Sequence, residues 1–410
     1  MSRRLRRTVV VLWIAGTAPG LAAAAKPPGT ATAPGAGPPA APCKPDDAAG
    51  CAKACEHGAA SACLAAGYAW LEGKGGAPKD EKRAAALFAR ACERGEAAGC
   101  NALGVVTAEG VGVAKDEARA FGLYGKACAG GYAKACTNVA DALLHGAGTK
   151  KDAAAAAAAL VKACDGGEPA GCLSAAMLYD EGAAVARDAP RAAGLYQEAC
   201  DAGAPRGCHF LGLMYREGEG VKKDLARAAV LFDGACKAGW ARACGDLAVA
   251  TLMGDGVGKD EKRGLAMLGK ACSDGAPHAC FDLGVLTDEG RLVAADAARA
   301  AALFDGACKA GDAEACNNLG SMARTGRGVA KDAARARLLF ETACASGFLP
   351  ACTSAAVARA EAGDLAGARA LHERACKAGH PPSCDALKKL APAAPATAAP
   401  KPPPTAAPRP

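Results

Sequence analysis

The side chains best suited to chemistry in this chain are its 22 cysteines. They fall as pairs with seven residues between partners: Cys43 and Cys51, Cys55 and Cys63, Cys92 and Cys100, Cys128 and Cys136, Cys164 and Cys172, Cys200 and Cys208. The series continues with Cys236 and Cys244, Cys272 and Cys280, Cys308 and Cys316, Cys344 and Cys352, and Cys376 and Cys384. Thiols so placed could be oxidised to disulfides or could ligate a metal. Four-ligand zinc sites favour Cys-x2–4-Cys knuckles, whereas each junction here offers only two close thiols, so no metal is expected. An even cysteine count at regular spacing reads as a disulfide framework, which persists in oxidising compartments. Spacing alone leaves open whether Cys43 pairs with Cys51.

Other chemistry is sparse. Gly264 to Lys270 fits Gly-x4-Gly-Lys, but Ala271 stands where a phosphate-binding loop needs Ser or Thr, and the segment lies within a helical pattern. The six histidines are scattered and form no His-Glu-x-x-His. No catalytic residue and no cofactor is expected.

From Cys92 to Cys344 the pairs recur every 36 residues. A fixed period of roughly 20–50 residues marks a stacked repeat protein, in which each unit buries its apolar face against its neighbours. Within one repeat, Cys208, Leu211, Gly212 and Tyr215 fall on one stripe of a helix, here called A. Gly218 and Gly220 stop it, with counterparts at Gly73, Gly110, Gly146, Gly182, Gly254, Gly290 and Gly326. Asp224 is placed to cap helix B, as are Asp80, Asp116, Asp152, Asp188, Asp260, Asp296 and Asp332. Helix B runs through Ala228, Leu231, Phe232 and Ala235 to Cys236, and each cysteine pair then joins the end of one helix B to the start of the next helix A. A bridge closing so short a loop is worth roughly 2.5 kcal/mol in the chain-entropy picture.

The reading is an all-α solenoid of αα-hairpins, about nine units with a shortened last one, between a cap helix at Asp46–Glu56 and another at Ser383–Leu390. The alanine-rich helix B after Asp152 buries less apolar area than its neighbours and is expected to be the softest or most sharply curved point.

The ends differ in character. Arg3, Arg4, Arg6 and Arg7, a short apolar stretch and small residues up to Ala25 read as a signal peptide over 1–25. A Pro/Ala/Gly-rich linker (26–42) and a Pro/Ala-rich tail (391–410) flank the solenoid of residues 43–390. The formal charge is +7, but the four leader arginines depart with the signal and three more cations sit in the flexible ends, which leaves the repeats neutral. A neutral repeat region is a poor polyanion binder, so nucleic acid is not the expected partner. No membrane span is expected after cleavage, and the chain is expected in the periplasm or outside the cell as a monomer.

The pattern Leu-Gly-x-x-Tyr-x-x-Gly-x-Gly-Val-x-x-Asp-x-x-Arg-Ala-x-x-Leu-Phe-x-x-Ala-Cys-x-x-Gly, from Leu211 to Gly239 with Glu219 and the lysines between, closely resembles the Sel1-like repeat. The Cys-x7-Cys decoration resembles secreted bacterial cysteine-rich Sel1-like proteins. Ala175-Ala176 and Ala355-Ala356 depart from Leu-Gly. The resemblance implies a right-handed αα-superhelix that serves as an adaptor for protein–protein interaction. Cysteine-rich members have also been credited with weak penicillin binding or hydrolysis, so a protein acting on cell-wall fragments is the alternative. The chain has no Ser-x-x-Lys and no Lys-Thr-Gly to supply serine-enzyme machinery, so an enzyme is not expected.

If helix A packs through the cysteine stripe, the positions one, five, eight and nine residues after its first cysteine face away from helix B. By analogy with the tetratricopeptide fold, they line the concave surface. Along the middle repeats they read Leu173, Met177, Glu181, then Leu213, Glu217, then Val249, Leu252, Met253, then Phe281, Val285, Glu289. That is an apolar stripe with a carboxylate edge, suited to an extended or helical peptide of an unidentified protein.

Overall fold

A computed structural model describes residues 43–44, 47–182 and 184–389. The expected signal, linker and tail lie outside these residues, as do Asp46 and Leu390 of the expected cap helices. The described residues form twenty α-helices and no strand. In chain order they are α1(Ala48–Glu56), α2(Ala60–Glu72), α3(Glu81–Glu93), α4(Ala97–Glu109), α5(Glu117–Ala129), α6(Ala133–His145), α7(Ala153–Asp165), α8(Pro169–Glu181), α9(Ala189–Asp201) and α10(Pro205–Glu217). They continue as α11(Leu225–Lys237), α12(Ala241–Met253), α13(Glu261–Ser273), α14(Pro277–Glu289), α15(Ala297–Lys309), α16(Ala313–Thr325), α17(Ala333–Ala345), α18(Leu349–Glu361), α19(Leu365–Lys377) and α20(Pro381–Lys389). Two compact units divide between Gly264 and Leu265, inside α13. From α2 to α19 every helix has 13 residues and A alternates with B, about 20 Å per helix at 1.5 Å per residue.

The turn chemistry explains the regularity. Each of the eight predicted aspartates accepts a hydrogen bond on its carboxylate from the amide three residues on, at 2.9–3.1 Å. Such a cap is typically worth about 1 kcal/mol. The same aspartate donates its own backbone N–H to a carbonyl in the last turns of helix A, as Asp224 does to Tyr215 at 2.9 Å, which closes the hairpin loop. Helix A ends on a left-handed glycine in each regular unit, with φ between 65° and 81°.

The second glycine of Gly-x-Gly has a different task. A Cβ on Gly112, Gly148, Gly220, Gly256 or Gly328 would fall 2.1–2.3 Å from the carbonyl oxygen of the first residue of the preceding unit's helix B. The loop of one unit thus sits directly on the helix start of the unit before it, and only hydrogen fits between. Leu292 takes the left-handed conformation in the corresponding register, with φ 64°, the single non-glycine to do so among the described residues.

Between A and B of one hairpin, an aromatic ring of helix B lies against a glycine of helix A. The rings of Phe88, Phe304 and Phe340 are fully buried, and each lies where a Cβ on Gly67, Gly284 or Gly320 would meet it at 2.4–2.7 Å. In the α6–α7 hairpin helix A carries Ala140 and helix B the smaller Leu160 in that register, both buried. Ala176 faces the register of Tyr196, whose ring is stacked on Phe210 at 5.3 Å.

All 22 cysteines are paired as the spacing predicts, with Cα–Cα distances of 4.3–4.9 Å. Ten bridges join the end of a B-type helix to the start of the next A-type helix. Cys55 binds Cys63 between α1 and α2, Cys92 binds Cys100 between α3 and α4, and Cys128 binds Cys136 between α5 and α6. Cys164 with Cys172 and Cys200 with Cys208 clamp α7 to α8 and α9 to α10. Cys236 with Cys244 ties α11 to α12, Cys272 with Cys280 ties α13 to α14, and Cys308 with Cys316 ties α15 to α16. Cys344 with Cys352 and Cys376 with Cys384 close the series at α17 to α18 and α19 to α20.

The bridge from Cys43 to Cys51 departs from that rule, because it ties the segment before α1 to the middle of α1. The cap helices also differ in extent from the sequence reading. Asp47 caps α1, and α20 begins at Pro381 because proline suits a first helical turn, where its missing N–H is no loss.

Candidate interaction face

The predicted stripe belongs to the A helices, and burial sorts its members. In the first unit Met177 and Leu252 are buried, Leu173, Leu213 and Val249 are half-buried, and Met253 is 56% exposed. Glu217 is exposed and Glu181 half-buried. In the second unit Phe281 is buried, Val285 half-buried and Glu289 exposed. Met177, Leu252 and Phe281 thus act as packing between helices, and Phe281 lies 5.9 Å from the Phe304 ring. The accessible apolar part of the stripe in the first unit comes down to Leu173, Leu213, Val249 and Met253. Burial and the neighbouring Asp180 push the Glu181 carboxyl upward.

A polar network runs along the same side of the A helices, and the sequence did not show which of its members meet. Asn138 donates to the Asn101 side chain at 2.7 Å, joining α6 to α4. Asp246 on α12 holds two residues of α10: His209 Nε2 lies 2.8 Å from one carboxylate oxygen and Arg216 Nη1 donates to the other at 2.5 Å. Burial opposes ionisation of Asp246, but the His209 hydrogen bond and charge together with Arg216 outweigh it, so its carboxyl is held well below the usual range. Arg216 is desolvated, yet the facing Asp246 raises its pKa. In the second unit Arg327 makes two contacts with Asp288, and His278 Nδ1 lies 3.2 Å from Asp312. Asn101, His209, Arg216 and Asp288 stand one or eight residues after their helix-A cysteines, on the stripe itself, whereas Asn138 and Asp246 stand one residue off it.

Among the described residues the one group of potential metal ligands is Cys164, Cys172 and Glu198. Both sulfurs are spent in a disulfide, so that group is a bridge with an acceptor beside it. His145, His209 and His278 each sit against a carboxylate of an A helix or its neighbour.

Disulfide-clamped helical hairpins in series define an αα-hairpin repeat solenoid. The family model for the Sel1 repeat matches residues 60–96, 97–132, 133–168, 169–203, 205–240, 241–275, 277–312 and 313–348, and the chain belongs to the Sel1-repeat family. The α18–α19 hairpin, with its shortened loop, lies beyond the last matched repeat.

Among solved structures, a protective antigen of uropathogenic Escherichia coli, c5321, described as displaying an SLR fold, is 26% identical with a TM-score of 0.61, covering 84% of this chain and 74% of its own. A Sel1 repeat protein from Oxalobacter formigenes is 26% identical with a TM-score of 0.58, covering 72% of this chain and 86% of its own. Cysteine rich protein B of Helicobacter pylori is 34% identical over 32% of this chain and 93% of its own, with a TM-score of 0.27. No curated protein matches the chain. Sel1-repeat solenoids are generally protein–protein interaction scaffolds and typically not enzymes. The many intramolecular disulfides fit an exported protein, and no helix among the described residues is long and apolar enough to cross a membrane.

Proposed function

We propose that this protein is an exported scaffold that holds a peptide segment of a partner protein along its A-helix stripe, in the periplasm or outside the cell. The observation that carries the reading is the half-buried to exposed row Leu173, Leu213, Val249 and Met253, bordered by Glu181 and Glu217. Accessible apolar side chains on successive helices give a partner area to cover, and methionine adapts to varied surfaces. The carboxylate border favours a segment with basic residues.

The test is affinity capture from periplasm and culture medium with the mature, oxidised protein. Partners identified by mass spectrometry should be retained by the native protein. They should be lost from a Leu213→Asp, Val249→Asp, Met253→Asp triple variant of unchanged helicity. Retention by that variant refutes the stripe as the binding face.

A further inference from the structure

Three buried side-chain atoms of the described residues that lack a hydrogen-bond partner gather in one place: Arg206 Nε, His209 Nδ1 and Trp240 Nε1. Orphaned buried polar atoms are rare in folded proteins and ask for an explanation. Arg206 and His209 belong to α10, and Trp240 and Arg242 to the start of α12. The guanidinium carbons of Arg206 and Arg242 stand 5.6 and 6.0 Å from the centroid of the same Trp240 ring. Neither arginine has a carboxylate partner among the described residues. The nearby acid, Asp246, is already taken by Arg216 and His209.

Two like charges brought to one indole without an anion repel each other, and the cost shows. Burial lowers the Arg206 pKa and Arg242 lowers it further. Around the pair stand rings: His209 lies 6.3 Å from Trp240 and 5.5 Å from Phe210, which in turn stacks on Tyr196. A guanidinium fork matches a planar carboxylate, and an aromatic wall suits the apolar remainder of a peptide.

We propose that the guanidinium groups of Arg206 and Arg242, both near the Trp240 ring, form a binding site for a peptide carboxylate, either a chain terminus or an acidic side chain. The site deepens the peptide-scaffold reading and rests on it. Arg206 and Arg242 stand two residues before the cysteines of their A helices, whereas Glu217 stands at the far end of α10. A captured segment therefore meets a cationic group at one end of the A helices and an anionic one at the other, which sets its orientation.

The experiment uses the mature oxidised protein and pooled N-acetylated random hexapeptides in two forms, with a free C-terminal carboxylate and with a C-terminal amide. The free-acid pool should be retained about tenfold or more above the amide pool, or the retained amides should be enriched in Asp and Glu. The first outcome assigns a chain terminus and the second an acidic side chain. Arg206→Gln or Arg242→Gln should remove the preference, while Arg206→Lys, which keeps charge without the fork, should restore part of it. Far-UV circular dichroism of each variant verifies folding.

Equal retention of acid and amide pools without acidic enrichment overturns the carboxylate site, as does a preference that survives both glutamine variants. Inorganic phosphate that competes as well as acetate overturns it in favour of a general oxyanion site. If Leu213→Asp weakens both pools equally while the acid preference is absent, the stripe stands and only the carboxylate inference falls.

Discussion

Asp246 is the residue in which position and environment differ most from what the chain alone suggests. One helical step away from the predicted stripe, it binds two residues of the preceding A helix and ties adjacent repeats together through charge as well as shape. A stripe read by periodicity finds apolar faces; it does not show which polar side chains of neighbouring repeats will meet, because that depends on the rotation between units. Histidines at the C-terminal end give a pH prediction. Burial lowers the pKa of His372, with His380 adding to it, and burial lowers that of His380, both from an ordinary 6.5. The unfolded chain then takes up protons more readily than the folded one as pH falls below about 6.5, so this contribution is complete above that value and is lost below it. Asp246, depressed in the carboxylate range, gives way only under far more acid conditions. Hydrogen exchange between pH 7.5 and 5 should show protection falling in α19 and α20 before α10 to α12; equal protection at both ends of that range contradicts the assignment.

At the scale of helices, the alternation of A and B, the aspartate caps and the glycine stops were all legible, because each follows from a local backbone requirement that one residue type meets. The pairing of glycine on helix A with a ring on helix B was not. It is a contact across the hairpin, and its sign appears only when Gly320 is seen against Phe340 and Ala140 in the register of Leu160. A methyl at Gly320 would lie 2.7 and 2.9 Å from two atoms of the Phe340 ring, which is buried and has nowhere to go. Gly320→Ala should therefore cost about 1–3 kcal/mol in chemical denaturation. Adding Phe340→Leu should recover part of the loss, since the smaller side chain accepts the methyl. A double-mutant cycle measures the coupling, and strictly additive losses would show that the two positions do not share that space.

For the molecule as a whole, the cysteine count turned out to be the most informative feature in the chain, since it set the period, the hairpins and the junctions before any helix was described. Among residues 43 to 389 every thiol is committed. Each loop contributes roughly 2.5 kcal/mol in the chain-entropy picture, so eleven together exceed the ~5–15 kcal/mol net stability of an ordinary domain. Reduction with a phosphine at 37 °C should remove most of the helical circular dichroism; a reduced protein with undiminished helicity would mean that packing alone suffices. The same connectivity has a consequence for biogenesis. Every native bridge joins a cysteine to the next one along the chain, with no bridge crossing another. A polypeptide that emerges from a translocation pore N-terminus first and is oxidised two thiols at a time, in order of emergence, arrives at the native pattern directly. Such a chain has no need of an isomerase to shuffle its disulfides.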